Sequence, residues 1–206
     1  MRERRNVGLF LGMLGNILFI GFAAVCMIYY ATFSSSVFTK LLEGLAYTLE
    51  IGGFMVLAYS DYLLCVSTRM RRLMKISFAL YILFEAIMMI LELNSASFDF
   101  YAPYSLKLAV FHSLVSAGVC FAFLQADPDS KKYEYLVIMC IGIIFIGMLG
   151  SIMHIRIYFS ILINAIAFTV LFGGIRYLLG KEEMEIDCHG DKATVSEYNS
   201  DFFKDK

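Results

Sequence analysis

Six runs of about 20 predominantly apolar residues fill most of this chain, at 7–31, 41–66, 73–93, 105–125, 135–153 and 157–179. A helix that crosses a ~30 Å hydrocarbon layer needs a run of that length. The apolar fraction of 60% and the charged fraction of 17% match a membrane protein and exclude a water-soluble core. Transmembrane β-strands would show alternation of apolar and polar residues over ~10 positions. No such alternation is present, so the spans satisfy their backbone hydrogen bonds as helices. The expected fold is an all-α membrane protein, a compact bundle of six transmembrane helices with short loops over residues 1–180, followed by a flexible acidic tail at 181–206.

The cations set the orientation, because Lys and Arg accumulate in short cytoplasmic loops. Arg2, Arg4 and Arg5 precede the first run, Arg69, Arg71, Arg72 and Lys75 lie between the second and third, Lys131 and Lys132 between the fourth and fifth, and Arg176 and Lys181 at the end of the sixth. The other face has Lys40, Lys107 and Arg156. Both termini are therefore predicted to be cytoplasmic, in the plasma membrane. The first apolar run is too long for a signal-peptide core and is expected to remain in the mature protein. With no tryptophan in the chain, tyrosine takes over interfacial anchoring. Tyr29, Tyr30, Tyr101, Tyr104 and Tyr158 are expected at the outer boundary, and Tyr59, Tyr62, Tyr133, Tyr135 and Tyr177 at the inner one.

Five cysteines form no CxxC pair, and Cys26, Cys65, Cys120 and Cys140 read as small apolar fillers inside spans. In the tail, Asp187, Cys188, His189 and Asp191 match no known metal-ligand frame. No metal and no cofactor is expected, and the absence of GxxxxGK[ST] assigns any use of ATP to a separate protein subunit. Nucleic-acid binding is excluded, since the cations follow topology rather than forming a recognition element. Residues 10–17 and 145–152 echo one another, and Gly8, Gly12, Gly15, Gly147 and Gly150 within or beside them suit close approach of membrane helices.

Four polar residues stand inside spans: Glu50, Glu85, His112 and Asn164. An ionisable group there costs roughly 2.5–3.5 kcal/mol even on the lenient insertion scale, so such groups face the bundle interior and mark sites. At 1.5 Å rise per residue they lie about 13, 12, 10 and 10 Å below the outer boundary, in one layer. Helical phase agrees. Glu43, Tyr47, Glu50 and Asp61 share one stripe of the second span, and Tyr81, Glu85 and Glu92 share one of the third. His112 and Ser116 are one turn apart in the fourth, with Ser113 adjacent, and Ser160 and Asn164 are one turn apart in the sixth. Tyr47 and Tyr81 fit neither aromatic belt, and their hydroxyls can hydrogen-bond a buried carboxyl. Asp61, near the basic loop, reads as a salt-bridged topological anchor.

The predicted site for a ligand or a proton is thus Glu50, Glu85, His112 and Asn164 with Tyr47 and Tyr81. Two carboxyls in an apolar bundle are expected to share one proton, which suits proton coupling or a cationic or hydroxyl-rich ligand. Interhelical polar pairs return only about 0.6 kcal/mol on average, too little to offset the insertion of two acids. The leading expectation is a small-solute transporter or a substrate-binding membrane subunit that takes a small-molecule ligand. An intramembrane lipid hydrolase is a second reading, with a carboxylate and His112 as general acid and base. Residues 54–64, Phe-Met-Val-Leu-Ala-Tyr-Ser-Asp-Tyr-Leu-Leu, resemble a Ser-Asp-x-Leu-Leu segment of the lysoplasmalogenase-like membrane family, which has more spans and a second aspartate motif not found here. A membrane sensor, immunity or assembly protein acting through its tail or the basic 69–75 loop is the third.

Overall fold

The computed structural model describes the backbone at residues 2–31, 36–67, 72–93, 105–126, 130–152 and 157–202. Six α-helices follow in order: α1 (Arg2–Ala31), α2 (Ser36–Ser67), α3 (Arg72–Leu93), α4 (Ser105–Ala126), α5 (Glu134–Ile152) and α6 (Ile157–Phe202), with a short 3-10 turn at Ser130–Lys132 before α5. Helix α4 stops at Ala126, just ahead of Asp127-Pro128, where the proline ring disfavours helical geometry for the residue before it. At the start of α5 the Val137 amide donates to the Tyr133 carbonyl at 3.0 Å, while the Tyr133 side chain turns into the core with 1% exposure.

Three helices carry stretches long and apolar enough to cross a membrane, Arg4–Tyr29, Val37–Cys65 and Tyr158–Gly180. The described apolar stretches of α4 and α5, Val110–Leu124 and Glu134–Gly150, are shorter. Large apolar side chains such as Met55, Leu80, Leu83, Phe111 and Ile146 face outward, the arrangement that suits lipid as the surrounding solvent. Beyond Gly180, where a flexible tail is expected, the backbone of α6 continues as helix to Phe202. Lys181–Glu185 are mostly strong helix formers, and extending an existing helix adds one hydrogen bond per residue fixed. The side chains of 181–206, including Asp187, Cys188, His189 and Asp191, lie outside the described residues.

Helices adjacent in sequence are adjacent in space, and α6 closes the ring against α1 while also touching α4 and α5. The α1–α2 seam is the most extensive, and glycine makes it so. A Cβ at Gly8 would meet Leu64 at 3.0 Å, one at Gly12 would meet Ser60 at 2.9 Å, and one at Gly15 would meet Leu57 at 2.8 Å and the Gly53 carbonyl at 3.2 Å. The partners step backward along α2 as the glycines step forward along α1, an antiparallel register. Ser60 fixes it by donating from Oγ to the Gly8 carbonyl at 2.7 Å. A Cβ at Gly147 would likewise meet Ile163 at 2.9 Å on α6. The echoed segments thus share a packing role, since Gly12 also abuts Phe172 of α6.

Four of the tyrosines assigned to the inner boundary, Tyr59, Tyr62, Tyr135 and Tyr177, are exposed. Tyr133 and Tyr158 are not belt residues: both are buried, and Tyr158 packs edge-on against Phe22 with centroids 6.0 Å apart. Cys26, Cys120 and Cys140 are buried and Cys65 is half-buried.

Candidate functional site

An aromatic ladder supports the site. Phe78 packs against Phe123 (5.7 Å between centroids), Phe123 against Phe172 (6.0 Å), Phe172 against Phe168 (5.9 Å) and Phe168 against Tyr81 (5.4 Å). These contacts hold α3, α4 and α6 in register, because edge-on and offset ring pairs have defined geometry and add about 0.5–1.5 kcal/mol each beyond burial. The same face of α3 continues from Phe78 and Tyr81 to Phe84 and Glu85, at the spacing of three and four residues that one helical face provides.

His112 lies at the centre. Its Nε2 is 2.6 Å from Oε1 of Glu85 on α3, and its Nδ1 is 2.9 Å from Nδ2 of Asn164 on α6. Tyr81 and Phe84 both lie nearly parallel to the imidazole, at 6.2 and 5.6 Å between centroids. Glu85 stands one turn along α3 from Tyr81. Ser113 Oγ and Ser160 Oγ, 3.3 Å apart, add a second polar contact between α4 and α6. With His112 and Glu85 side chains at 9% and 13% exposure, the polar chain runs through the protein interior.

The tautomer follows from the partners. An amide nitrogen at Nδ1 is a donor, so Nδ1 accepts, Nε2 carries the proton, and Nε2–H donates to the Glu85 carboxylate. Asn164 Oδ1 is buried and has no hydrogen-bond partner among the described residues. Turning the amide over would bring this oxygen to Nδ1, where it accepts from an imidazolium. The arrangement can therefore hold His112 in either protonation state, with Glu85 balancing the added charge.

Of the residues singled out in the sequence, Glu85, His112 and Asn164 meet in one hydrogen-bonded chain, and the Tyr81 ring stacks on its imidazole. Glu50 is buried on α2, with 5% exposure, and Tyr47 packs half-buried against the apolar core. Asp61 is buried at 5% exposure, six residues before the end of α2 at Ser67. Neither of its carboxylate oxygens has a hydrogen-bond partner among the described residues. The basic residues Arg69 and Arg71, and the side chain of Arg72, lie outside the described residues. Phe84 and the Ser60–Gly8 bond were not anticipated; the first has a sequence signal, three residues from Tyr81, and the second has none.

Among the described residues no group of three or more His, Cys, Asp and Glu side chains gathers to hold a metal ion. Comparison with known proteins gives no match to a protein-family model, to a curated protein or to a solved structure.

Proposed function

We propose that this protein is a six-span membrane carrier, or the substrate-binding membrane subunit of one, that binds a small cationic or hydroxyl-rich solute at the Glu85–His112–Asn164 chain and couples binding to a proton. In this reading all six helices cross the plasma membrane with both termini in the cytoplasm, and the distribution of cations supports that orientation. The observation that carries it is the unbroken chain of side chains from α3 through α4 to α6, with both imidazole nitrogens engaged. A solute hydroxyl or ammonium that displaces either bond to His112 changes the proton affinity of what remains, and that is the physical content of coupling.

The same feature weighs against the lipid hydrolase. A general base needs one imidazole nitrogen free to take a proton from a nucleophile, and here Nε2 faces a carboxylate and Nδ1 an amide. No specific observation favours the sensor or assembly reading.

Native mass spectrometry of gently extracted full-length protein tests the proposal, with wild type beside Glu85→Gln and Asn164→Ala. A small molecule retained by the wild type and lost from both variants is the expected result. Retention of a protein partner by all three, with no small molecule in any, would overturn it.

A further inference from the structure

Asn164 offers the His112 ring one end of its amide and keeps the other end unused. Nδ2 is 2.9 Å from His112 Nδ1, whereas Oδ1 is buried with no hydrogen-bond partner among the described residues, in a residue only 1% exposed. An amide oxygen shut away from water is costly without a donor, so a donor brought to it is held firmly. A Cβ built at Gly147 on α5 would stand 3.7 Å from this oxygen, and glycine puts no side chain of its own there. The oxygen is sealed in this state, so a solute reaches it when the helices part, as alternating access demands.

Two donors can satisfy Oδ1. One is His112 itself: a second proton on the ring adds to the Nδ1 lone pair, and the amide must then turn over, since an N–H at Nδ1 cannot face the Nδ2 donor. The turn carries Oδ1 to Nδ1 and puts Nδ2 where Oδ1 had been. The other donor is an N–H of a bound solute, which finds an acceptor only while Nδ1 is unprotonated; after the turn it would meet an NH2 group. Charge gives the same exclusion. Glu85 Oε1 lies 2.6 Å from Nε2, and one buried carboxylate balances one cation, imidazolium or ammonium; a second cation would be left buried without a partner. Among the described residues packed around α4, α3 adds the neutral Tyr81 phenol, stacked on the ring at 6.2 Å, and α6 the uncharged Asn164. On α5, Cys140 is committed to the Ala167 carbonyl at 3.3 Å, while Glu134 and Tyr135 are exposed. Lys131 and Lys132 of the 3-10 turn lie beyond the end of α4.

We infer that Asn164 Oδ1 is the shared acceptor of an exchanger: it takes either an N–H of a small ammonium solute or the Nδ1–H of protonated His112, never both. This rests on the carrier reading and fixes two things in it: the solute brings an N–H, and it moves against a proton rather than with one.

Nitrogen NMR of the histidine-labelled full chain in lipid nanodiscs tests the exchange, with His154→Gln and His189→Gln so that His112 alone reports. Methylammonium is the probe, and tetramethylammonium, a cation without an N–H, is the control. At a mildly acid pH where both ring forms are seen, the ratio of imidazolium to neutral imidazole is expected to fall about tenfold for each tenfold rise in methylammonium once the site fills, the linkage that mutual exclusion requires. Tetramethylammonium is expected to leave the ratio unchanged. In Asn164→Asp, two oxygens and a second negative charge serve both cations, and the imidazolium signal is expected to persist as methylammonium rises. A ratio that rises with methylammonium would overturn the exchange and keep the carrier, since proton and solute would then bind together. Indifference to methylammonium would also overturn the exchange, and solute retention in the mass spectrometer would still decide the carrier reading by itself. An equal fall with tetramethylammonium, or one that survives in Asn164→Asp, would overturn the role of Oδ1. The two wild-type titrations decide the matter even if Asn164→Asp fails to fold.

Discussion

Asn164 reaches His112 from the side of the imidazole that Glu85 does not occupy, its amide nitrogen 2.9 Å from Nδ1. The ring is thereby read by two helices at once. Nitrogen NMR of histidine-labelled protein is expected to report Nε2 as protonated and Nδ1 as an acceptor in the resting state. In Asn164→Ala the donor at Nδ1 is gone, and the Nδ1 signal is expected to move toward that of a solvent-exposed or free nitrogen. No change in the spectrum would mean that the amide does not set the tautomer.

The bond between Glu85 and His112 is charge-assisted and mostly buried, a class worth about 1.5–3 kcal/mol in proteins. Ordinary polar pairs between membrane helices average about 0.6 kcal/mol. A double-mutant cycle over Glu85→Gln and His112→Phe, followed by unfolding in mixed micelles, is expected to give a coupling of roughly 1–3 kcal/mol. A coupling no larger than that of ordinary pairs would reduce the contact to interhelical glue.

Much of this site was legible from helical geometry alone. Glu85, His112 and Asn164 fall at one depth once the helix rise is applied to their positions, and a common depth is what allowed them to meet. Azimuth was less accessible. Nothing in a string of residues tells which neighbour a helix face will oppose, and spacing alone does not say which partner buried Glu50 meets. For Asp61 the stripe on α2 was readable from the spacing to Glu50, whereas its burial was not. The helical backbone of α6 past Gly180 has its signal in the helix formers of Lys181–Glu185, which an acidic, polar composition masks.

The glycine seam makes a sharp distinction between positions. A Cβ at Gly15 would press on Leu57 at 2.8 Å and on the Gly53 carbonyl at 3.2 Å, and backbone cannot yield as a side chain can. Gly15→Ala is expected to lower stability by about 1–3 kcal/mol, in the range of other overpacked cores. Gly142 and Gly118 have open space where a Cβ would go. Alanine at either is expected to be neutral or to stabilise by up to about 1 kcal/mol through helix propensity. Thermal unfolding in detergent of the three variants checks both directions.

Topology can be tested with single cysteines at exposed positions. Val37 is 76% exposed near the start of α2 and Tyr135 is 88% exposed near the start of α5. On a six-span arrangement, Val37→Cys is expected to react with a membrane-impermeant maleimide in intact cells, whereas Tyr135→Cys reacts only after permeabilisation. The buried Cys26, Cys120 and Cys140 keep the background low. Labelling of both from one side would require a different number of crossings between them.

The antiparallel lock of Gly8, Gly12 and Gly15 against α2 needs only the first 67 residues of the chain, whereas the contact of α6 with α1 joins the two extremes of the sequence. During biogenesis the leading pair can zip as soon as it leaves the ribosome and the insertion machinery. It then waits with one flank open until the last helix arrives. A product truncated before α6 therefore resembles a barrel with a missing stave, with the flank of α1 that α6 covers left open.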